Sequence, residues 1–186
     1  MVTYKIVLKT SHKHKDRLVN CLDTWLANLD YVAITDRQTG LANEISMSNS
    51  DSYESNEEKT INFINYVQAN YEKFDVDWLV FIDDDAILNI PLLQQYLPNM
   101  DKNCVYGKNM KGVFSKDRGL EYTSGGCGYF ISPDLIMRST PALKCGYGFE
   151  DACMGNWIKA NNITIREDLP LNGWFPWQHH FDMLWK

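Results

Sequence analysis

The stretch WLVFIDDD, residues 78–85, decides the fold that this sequence predicts. Its first five residues are apolar without alternation, which is typical of a strand buried on both faces of a sheet. Three aspartates follow directly, and the carboxyl ends of strands are where open α/β sheets bind ligands. A turn or a helix N-cap would account for one of these carboxylates but not for all three. The stretch therefore predicts an α/β protein with an acidic site at the end of a central strand.

The segments before this strand predict a parallel βαβ arrangement. Residues 4–10 and 31–35 are predicted strands, and residues 16–29 between them place their leucines on one helical face. Residues 60–71 carry the apolar stripe of a further helix, while the polar stretch 44–58 is predicted to be a flexible surface loop. Alternating strands and helices favour a parallel sheet.

The segments after the acidic stretch predict shorter elements. They are a helix at 91–97, strands at 104–106 and 128–131, a polar hairpin-like connection at 108–119 and a helix at 151–160. The chain shows no internal repeat and no linker. We therefore expect one α/β domain over residues 1–186.

Composition and charge exclude several classes of protein. The chain is 45% hydrophobic and 23% charged, which provides enough apolar surface for a full core. Its formal charge of −6 argues against nucleic-acid binding, which requires clustered basic residues. The longest apolar run, residues 78–82, is far shorter than the ~20 residues of a membrane-spanning helix.

The cysteines and the N-terminus suggest a compartment. The five cysteines form no Cys-x-x-Cys pair, so we expect mostly free thiols without a zinc site or a complete disulfide framework. Free thiols favour a reducing environment. Since the N-terminus shows no secretion signal, the sequence predicts a soluble, cytoplasmic protein.

The three aspartates predict a cation site. Adjacent carboxylates repel one another, and a divalent cation is a common way to keep them ionised. In an extended chain Asp83 and Asp85 point to the same side and Asp84 to the other, so the pair could bind a hard cation together with a sugar or ribose hydroxyl. Near the chain end, His179 and His180 could complete a manganese-type site or form an ordinary packing pair.

Two further clusters have alternative interpretations. The glycines of residues 125–128 (GGCG) would let the backbone approach a ligand, or would form a tight turn, and they lack the spacing of a dinucleotide-binding fingerprint. Glu150 and Asp151 begin a predicted helix. One carboxylate can stabilise the helix N-terminus, and the other can act as a general base toward a hydroxyl. Spacing does not decide which carboxylate has which role.

Taken in order, these features resemble the Fringe-like β-1,3-glycosyltransferase family. The matching blocks span nearly the whole chain, and their order is more specific than any one block. They are Thr10 to Arg17 with Asp36, Asp51-Ser52-Tyr53 with Lys59-Thr60, WLVFIDDD, TSGGCGYFIS, FEDACMG and the closing WQHHFDML.

The resemblance implies a GT-A, Rossmann-like fold with a mixed central sheet flanked by helices. It implies an inverting enzyme that uses Mn²⁺ or Mg²⁺ to move a sugar from a nucleotide-sugar, usually a UDP-sugar, to a hydroxyl of a glycan or glycoconjugate. Asp85 and Asp83 would bind the metal, with His180 as a further ligand and His179 as its alternative. Asp83 and Asp84 would lie near the ribose and the donor sugar.

The remaining roles also follow from the resemblance. Asp151 would be the base that deprotonates the acceptor hydroxyl, with Glu150 in support. The nucleotide-sugar would be surrounded by Thr10, Arg17, Asp36, Lys59, Gly125 and Gly126.

The resemblance also divides the chain. Residues 1–85 would form the nucleotide-sugar half and residues 86–186 the acceptor and catalytic half. We expect the segments 44–58 and 108–119 to border the acceptor groove. Without an anchor, the chain resembles the core of a microbial or viral enzyme, unless it is an excised lumenal domain.

Two other functions are open on the sequence. VFIDDDAIL is also similar to the Asp-x-Asp strand of haloacid-dehalogenase-like phosphohydrolases, with Asp83 as nucleophile, Asp85 as acid/base and Mg²⁺ as the metal. A non-catalytic sugar-binding module would instead use Trp174 and Trp177 as stacking platforms. The intact pair at 150–151 argues against the module, since a binder needs no base.

Overall fold

A mixed sheet organises the structure, a computed structural model that describes residues 2–52, 54–114, 117–146 and 148–168. The strands of this sheet are β1 (Tyr4–Lys9), β2 (Tyr31–Thr35), β3 (Glu44–Ser46), β4 (Trp78–Asp83), β5 (Cys104–Gly107), β8 (Tyr129–Ile131) and β9 (Thr164–Arg166). Two more strands, β6 (Asn109–Phe114) and β7 (Asp117–Thr123), pair separately as an antiparallel ribbon. The helices are α1 (Lys15–Asp23), α2 (Ser55–Ala69), α3 (Ile90–Tyr96), α4 (Pro133–Arg138) and α5 (Glu150–Ala160).

The strand order brings several strand ends to one edge of the sheet. The described strands lie in the order β3-β2-β1-β4-β8-β5-β9. β1 to β4 are parallel, whereas β8 is antiparallel to both β4 and β5. Because β2 and β4 lie on opposite sides of β1, the strand order reverses there, which is where open α/β sheets form a ligand crevice. The predicted α/β class, with a mixed sheet flanked by helices, is confirmed.

Helices cover both faces of the sheet because its central strands are apolar on both faces. Val7 and Phe81 belong to the core shared with α2, α4 and α5, and Leu8 and Ile82 to the core shared with α1 and α3. All four side chains are fully buried. Removing one such side chain from water contributes about 1.5–3 kcal/mol to stability. The strand predicted at residues 78–82 is confirmed.

The unit β1–α1–β2 confirms the predicted parallel start, but α1 is shorter than predicted. It ends at Asp23 instead of Leu29. The Thr24 hydroxyl donates to a carbonyl oxygen of the last helical turn, and the Leu26 amide donates to the Cys21 carbonyl oxygen, so the chain turns away. Leu26 is fully buried in this turn, which is why the apolar spacing continues beyond the helix.

The prediction of a flexible loop at 44–58 is wrong at both ends. Residues 44–46 form β3, and α2 begins at Ser55. The Glu44 carboxylate is buried and accepts hydrogen bonds from the amides of residues 39–41. The buried Ser48 hydroxyl donates to Glu58 at 2.9 Å. Polar side chains that bond one another and nearby backbone resemble a solvated loop in the sequence, although they are buried.

The later elements match the predictions to within a few residues, and the predicted hairpin at 108–119 is the β6–β7 ribbon, which extends to Thr123. α4 and β9 are additional elements. The Ser132 hydroxyl accepts the Leu135 amide and Pro133 occupies the first turn of α4, which together are a helix-start signal, but six residues are too few to show an apolar period. No helix among the described residues is both long and apolar enough to cross a membrane.

Two cysteines are paired, which the sequence reasoning missed. Cys145 and Cys153 form a disulfide with their Cα atoms 5.4 Å apart, whereas Cys21, Cys104 and Cys127 are free and buried. The pair joins the segment before α5 to the helix itself across a separation of 8 residues, which is not a Cys-x-x-Cys spacing. The disulfide removes the argument for a reducing compartment that rested on free thiols.

Candidate active site

A cleft of about 590 Å³ opens at the carboxyl ends of β1 and β4. These strands are parallel and Lys9 pairs with Asp83, so the residues that follow them meet at this edge. β8 is antiparallel, and the turn before it, residues 125–128, therefore reaches the same edge. The lining brings together these predicted residues: Thr10, Arg17, Lys59, Asp83, Asp84, Asp85, Gly125, Gly126, Glu150 and Asp151.

The three aspartates separate at the end of β4. Asp83 lies 3.0 Å from the Lys9 ammonium, whereas Asp84 and Asp85 lie 3.4 and 3.5 Å from one guanidinium nitrogen of Arg17. The expected alternation, with Asp83 and Asp85 on the same side, is therefore wrong. The strand ends at Asp83, whose carbonyl oxygen accepts an amide three residues on, so Asp84 and Asp85 lie in a turn and not in extended chain.

Asp84 is the buried member of this trio. The Thr10 hydroxyl donates to its carboxylate at 2.7 Å. Burial raises the pKa of Asp84, and the hydrogen bond from Thr10 and the charge of Arg17 oppose this rise. Asp85 is the most exposed of the three, with 36% of its side chain accessible. Asp85 is thus the carboxylate most available to a bound group.

Lys9 is the main site residue that the sequence reasoning missed. It is 3% exposed, and its ammonium lies 2.9 and 2.8 Å from the two carboxylate oxygens of Glu150. Burial by itself lowers the pKa of Lys9, but the charges of Asp83, Glu150 and Asp151 outweigh burial and raise this pKa well above its usual range. The signal available in the sequence is a cation that directly follows the apolar run of β1, residues 6–8 (IVL).

Glu150 and Asp151 lie in the first turn of α5 but have different surroundings. The buried Glu150 carboxylate accepts hydrogen bonds from Lys9 and, at 2.6 Å, from the Tyr129 hydroxyl. Asp151 accepts the Gly125 amide at 2.7 Å. Burial, followed by the charge of Glu150, raises the pKa of Asp151 to about 7. A carboxylate with this pKa exchanges protons near neutral pH.

Asp36, another predicted site residue, lies outside the described lining of the cleft. Asp36 follows β2 as predicted, but it is buried, and its carboxylate accepts the His12 amide at 3.0 Å and contacts the His12 ring. Burial raises the pKa of Asp36, but these hydrogen bonds outweigh burial and lower it to about 2. Asp36 thus anchors the segment after β1. His179 and His180 lie outside the described residues.

Comparison with known proteins decides the family. The Fringe-like profile matches residues 4–164. The chain belongs to the Fringe-like family. This confirms the resemblance predicted from the motifs.

A relative of this Fringe-like chain is glycoprotein-N-acetylgalactosamine 3-beta-galactosyltransferase 1 of Xenopus laevis, 25% identical over 137 residues. The match covers 67% of this chain and 37% of the relative, so the chain spans little more than a third of that protein's length. Two solved structures are similar. The galactosyltransferase LgtC, in complex with donor and acceptor sugar analogues, has a TM-score of 0.48 at 10% identity, covering 90% of this chain and 76% of its own. A glycosyltransferase involved in glycosylation of the major capsid of PBCV-1 has a TM-score of 0.49 at 10% identity, covering 92% and 85%.

In this Fringe-like chain, α5 packs so closely against β7 that no side chain fits between them at Gly155. A Cβ added at Gly155 would lie 2.7 Å from the Glu121 carbonyl oxygen and 2.8 Å from the Tyr122 Cβ, so only glycine fits. Met110 pairs with Tyr122 across the ribbon, and both line the cleft. The segments 44–58 and 108–119, which we expect to border an acceptor groove, both contribute to this lining.

The oxygen atoms at the cleft fit a hard divalent cation. Mg²⁺ and Mn²⁺ prefer carboxylate oxygens, and Mg²⁺ commonly takes one or two of them together with phosphate oxygens and water. Asp85 offers such a carboxylate at the cleft, and Asp83 lines the same cleft with one oxygen on Lys9.

Another described cluster, Glu57 with Cys145 and Cys153, does not fit a metal. The two sulfurs form a disulfide, so neither is a thiolate. The Glu57 carboxylate accepts the amides of residues 145, 146 and 148. This cluster fixes the segment before α5.

We expect Gly125→Ala to destabilise the protein by about 1–3 kcal/mol, as overpacking of a tight site does. The new Cβ would lie 2.8 Å from an Asp151 oxygen and 2.9 Å from the Lys9 ammonium. Moving the first would break the hydrogen bond from the Gly125 amide, and moving the second would break the ion pairs with Asp83 and Glu150. Gly126→Ala is the matched control, because its Cβ would meet only an Asp83 oxygen at 3.9 Å. Urea unfolding of both variants measures the difference. Equal midpoints and slopes for the two would contradict this packing.

Proposed function

We propose that this Fringe-like protein is an inverting glycosyltransferase that moves a sugar from a nucleotide-sugar, most simply a UDP-sugar, to a hydroxyl of a glycan or glycoconjugate. One observation carries the proposal. A carboxylate with a pKa of about 7, Asp151, lines the same cleft as three aspartates at a strand end. Such a cleft can hold a charged donor on one side and activate an acceptor hydroxyl on the other.

The donor side consists of the ends of β1 and β4. Arg17 contacts Asp84 and Asp85 only at 3.4–3.5 Å and is 46% exposed, so its guanidinium can also bind a diphosphate. Asp85, with Asp83 beside it, would hold Mn²⁺ or Mg²⁺, which neutralises the negative charge that develops on a departing nucleoside diphosphate. Lys59 donates to the Thr10 carbonyl oxygen at 2.7 Å and fixes the backbone beneath this side.

The acceptor side is the first turn of α5. The Asp151 carboxylate accepts the Gly125 amide, whereas both Glu150 oxygens accept hydrogen bonds from Lys9 and one of them also accepts the Tyr129 hydroxyl. This difference favours Asp151 as the base and Glu150 as its support. A base on the acceptor side lets the hydroxyl attack the anomeric carbon directly, so the reaction needs no covalent intermediate and inverts the configuration.

The rim near Asp151 supports a carbohydrate acceptor. Phe149 is 47% exposed and lines the cleft together with Met110 and Tyr122. Aromatic side chains with an apolar face and a polar edge suit the faces of sugar rings. The frog relative is named for galactosyl transfer to N-acetylgalactosamine of glycoproteins, and we propose an acceptor of this general class, a glycan terminus, for this chain.

The phosphohydrolase alternative fits the contacts less well. Its nucleophile would be Asp83, but an ammonium 3.0 Å away holds that carboxylate, and family membership favours the transferase. The sugar-binding alternative relied on Trp174 and Trp177, which lie outside the described residues.

A panel of nucleotide-sugars with Mn²⁺ tests the proposed function. We expect one donor to raise the thermal midpoint, because a ligand that binds the native state stabilises it by mass action. The same donor should release its nucleoside diphosphate when a glycan acceptor is added. Release of phosphate from a phosphomonoester would favour the hydrolase instead, and sugar binding without turnover of any donor would favour the module.

A further inference from the structure

Lys9 joins the two sides of the cleft. Its ammonium contacts Asp83 at 3.0 Å on the donor side and both oxygens of Glu150 at 2.8–2.9 Å on the acceptor side. It also donates to the Gly125 carbonyl oxygen at 3.4 Å, in the turn whose amide binds Asp151. The lysine is almost fully buried, so its hydrogen-bonding capacity is used inside the site.

These contacts support Asp151 in two ways. Lys9 and Tyr129 fix Glu150, the residue before Asp151 on α5. Lys9 also fixes the Gly125 carbonyl oxygen, while the amide of the same residue holds the Asp151 carboxylate. Loss of the lysine would therefore release both supports of the base and leave the charges of Glu150 and Asp83 without their shared cation.

We propose that Lys9 is a positioning residue for glycosyl transfer, whose buried ammonium holds Glu150, Asp83 and the Gly125 turn in one geometry and thereby fixes the base Asp151 relative to the donor. This proposal rests on the proposed function. Lys9 acts through other residues and does not itself touch the acceptor. A misplacement of about 1 Å in such a geometry can cost ~100-fold in rate.

The surroundings of Asp151 also predict a pH signature. Glu150 and Asp83 disfavour its charged form, whereas Lys9 and the Gly125 amide favour it. Tyr122, Cys127 and Tyr129 are further titratable groups that interact with its charge. Because Lys9 is the opposing cation, its removal should raise the pKa of Asp151. The acid limb of the pH–rate profile should then move to higher pH, because loss of a nearby opposite charge disfavours the carboxylate form.

The experiment compares Lys9→Met, Lys9→Arg and the control Lys5→Met. Lys5 lies on the same strand but pairs with the surface residue Asp30. We expect Lys9→Met to lower kcat about 100-fold, to change the donor Kd by a smaller factor, and to shift the acid limb of the pH–rate profile to higher pH. Lys9→Arg should restore part of kcat and return the acid limb of the pH–rate profile toward its original pH. Lys5→Met should match the wild type.

Two controls distinguish a loss of folded protein from a loss of positioning. The first normalises kcat to the folded fraction, and the second is the double variant Lys9→Met/Glu150→Gln, which removes the cation and one anion together. A loss of kcat no larger than the loss of folded protein, with an unmoved acid limb, would overturn the proposal. So would a double variant with wild-type kcat. If the wild type turns over no donor, the proposed function is wrong. If the wild type turns over a donor and Lys9→Met has the same kcat, only the proposed role of Lys9 is wrong.

Discussion

Asp151→Asn will reduce glycosyl transfer by about 10²–10⁴-fold, the usual contribution of a positioned general base. The substitution keeps the size of the side chain, and an amide oxygen can still accept the Gly125 amide, so the fold and the donor site should persist. Donor affinity, measured by calorimetry, should stay within a few-fold of wild type. Turnover is measured as nucleoside diphosphate released with a glycan acceptor.

The pH dependence of the wild type provides the companion measurement. Only the deprotonated Asp151 can accept a proton, and its pKa is about 7, so kcat should fall about tenfold for each pH unit well below 7. Asp75→Asn, an exposed carboxylate outside the cleft lining, is the matched control and should leave both rate and profile unchanged. Full activity of Asp151→Asn would transfer the base role to another residue.

Asp85→Asn has the second large expected effect. If Asp85 holds the metal, its loss should lower metal-stimulated turnover about 100-fold or more, since the metal supplies several kcal/mol of charge stabilisation. The Mn²⁺ concentration for half-maximal rate should rise, and excess chelator should reduce the wild type to the level of the variant. Mn²⁺ titrations of rate and of donor binding measure both changes.

Asp75→Asn again provides the control for loss of one carboxylate. Asp84→Asn should behave differently from Asp85→Asn, because Asp84 is buried against Thr10. We expect Asp84→Asn to lower the stability more than Asp85→Asn does and to raise the Mn²⁺ requirement less. An unchanged Mn²⁺ requirement in Asp85→Asn would mean that Asp85 is not a metal ligand.

Local patterns in the sequence predict the main sheet well, because its central strands are themselves runs of apolar residues. The apolar run at 78–82 favours a buried strand, which the structure confirms, and the acidic residues after it lie at the sheet edge as expected. The alternation of Asp83, Asp84 and Asp85 failed because the strand ends at the first of them. The end of α1 was missed because the turn after it buries Leu26 as a helix would.

The sequence predicts the acidic residues of the candidate site but not the lysine at its centre. Lys9 and Glu150 are 141 positions apart, and no local period shows that their strand and helix meet. A single lysine at the end of an apolar strand resembles an ordinary solvated terminus. The disulfide between Cys145 and Cys153 was hidden for a related reason, since its partners meet only once α5 has folded against the preceding segment.

The glycine at position 155 has an evolutionary consequence. Because α5 and β7 touch at backbone distance there, any side chain at this position would push the ribbon away from the helix that carries Asp151. Met110 on β6, by contrast, lines the cleft and is 37% exposed, so a different side chain has room there. If the proposed function holds, a descendant of this chain could acquire a new acceptor by changing position 110 while it inherits the helix of the proposed base unaltered.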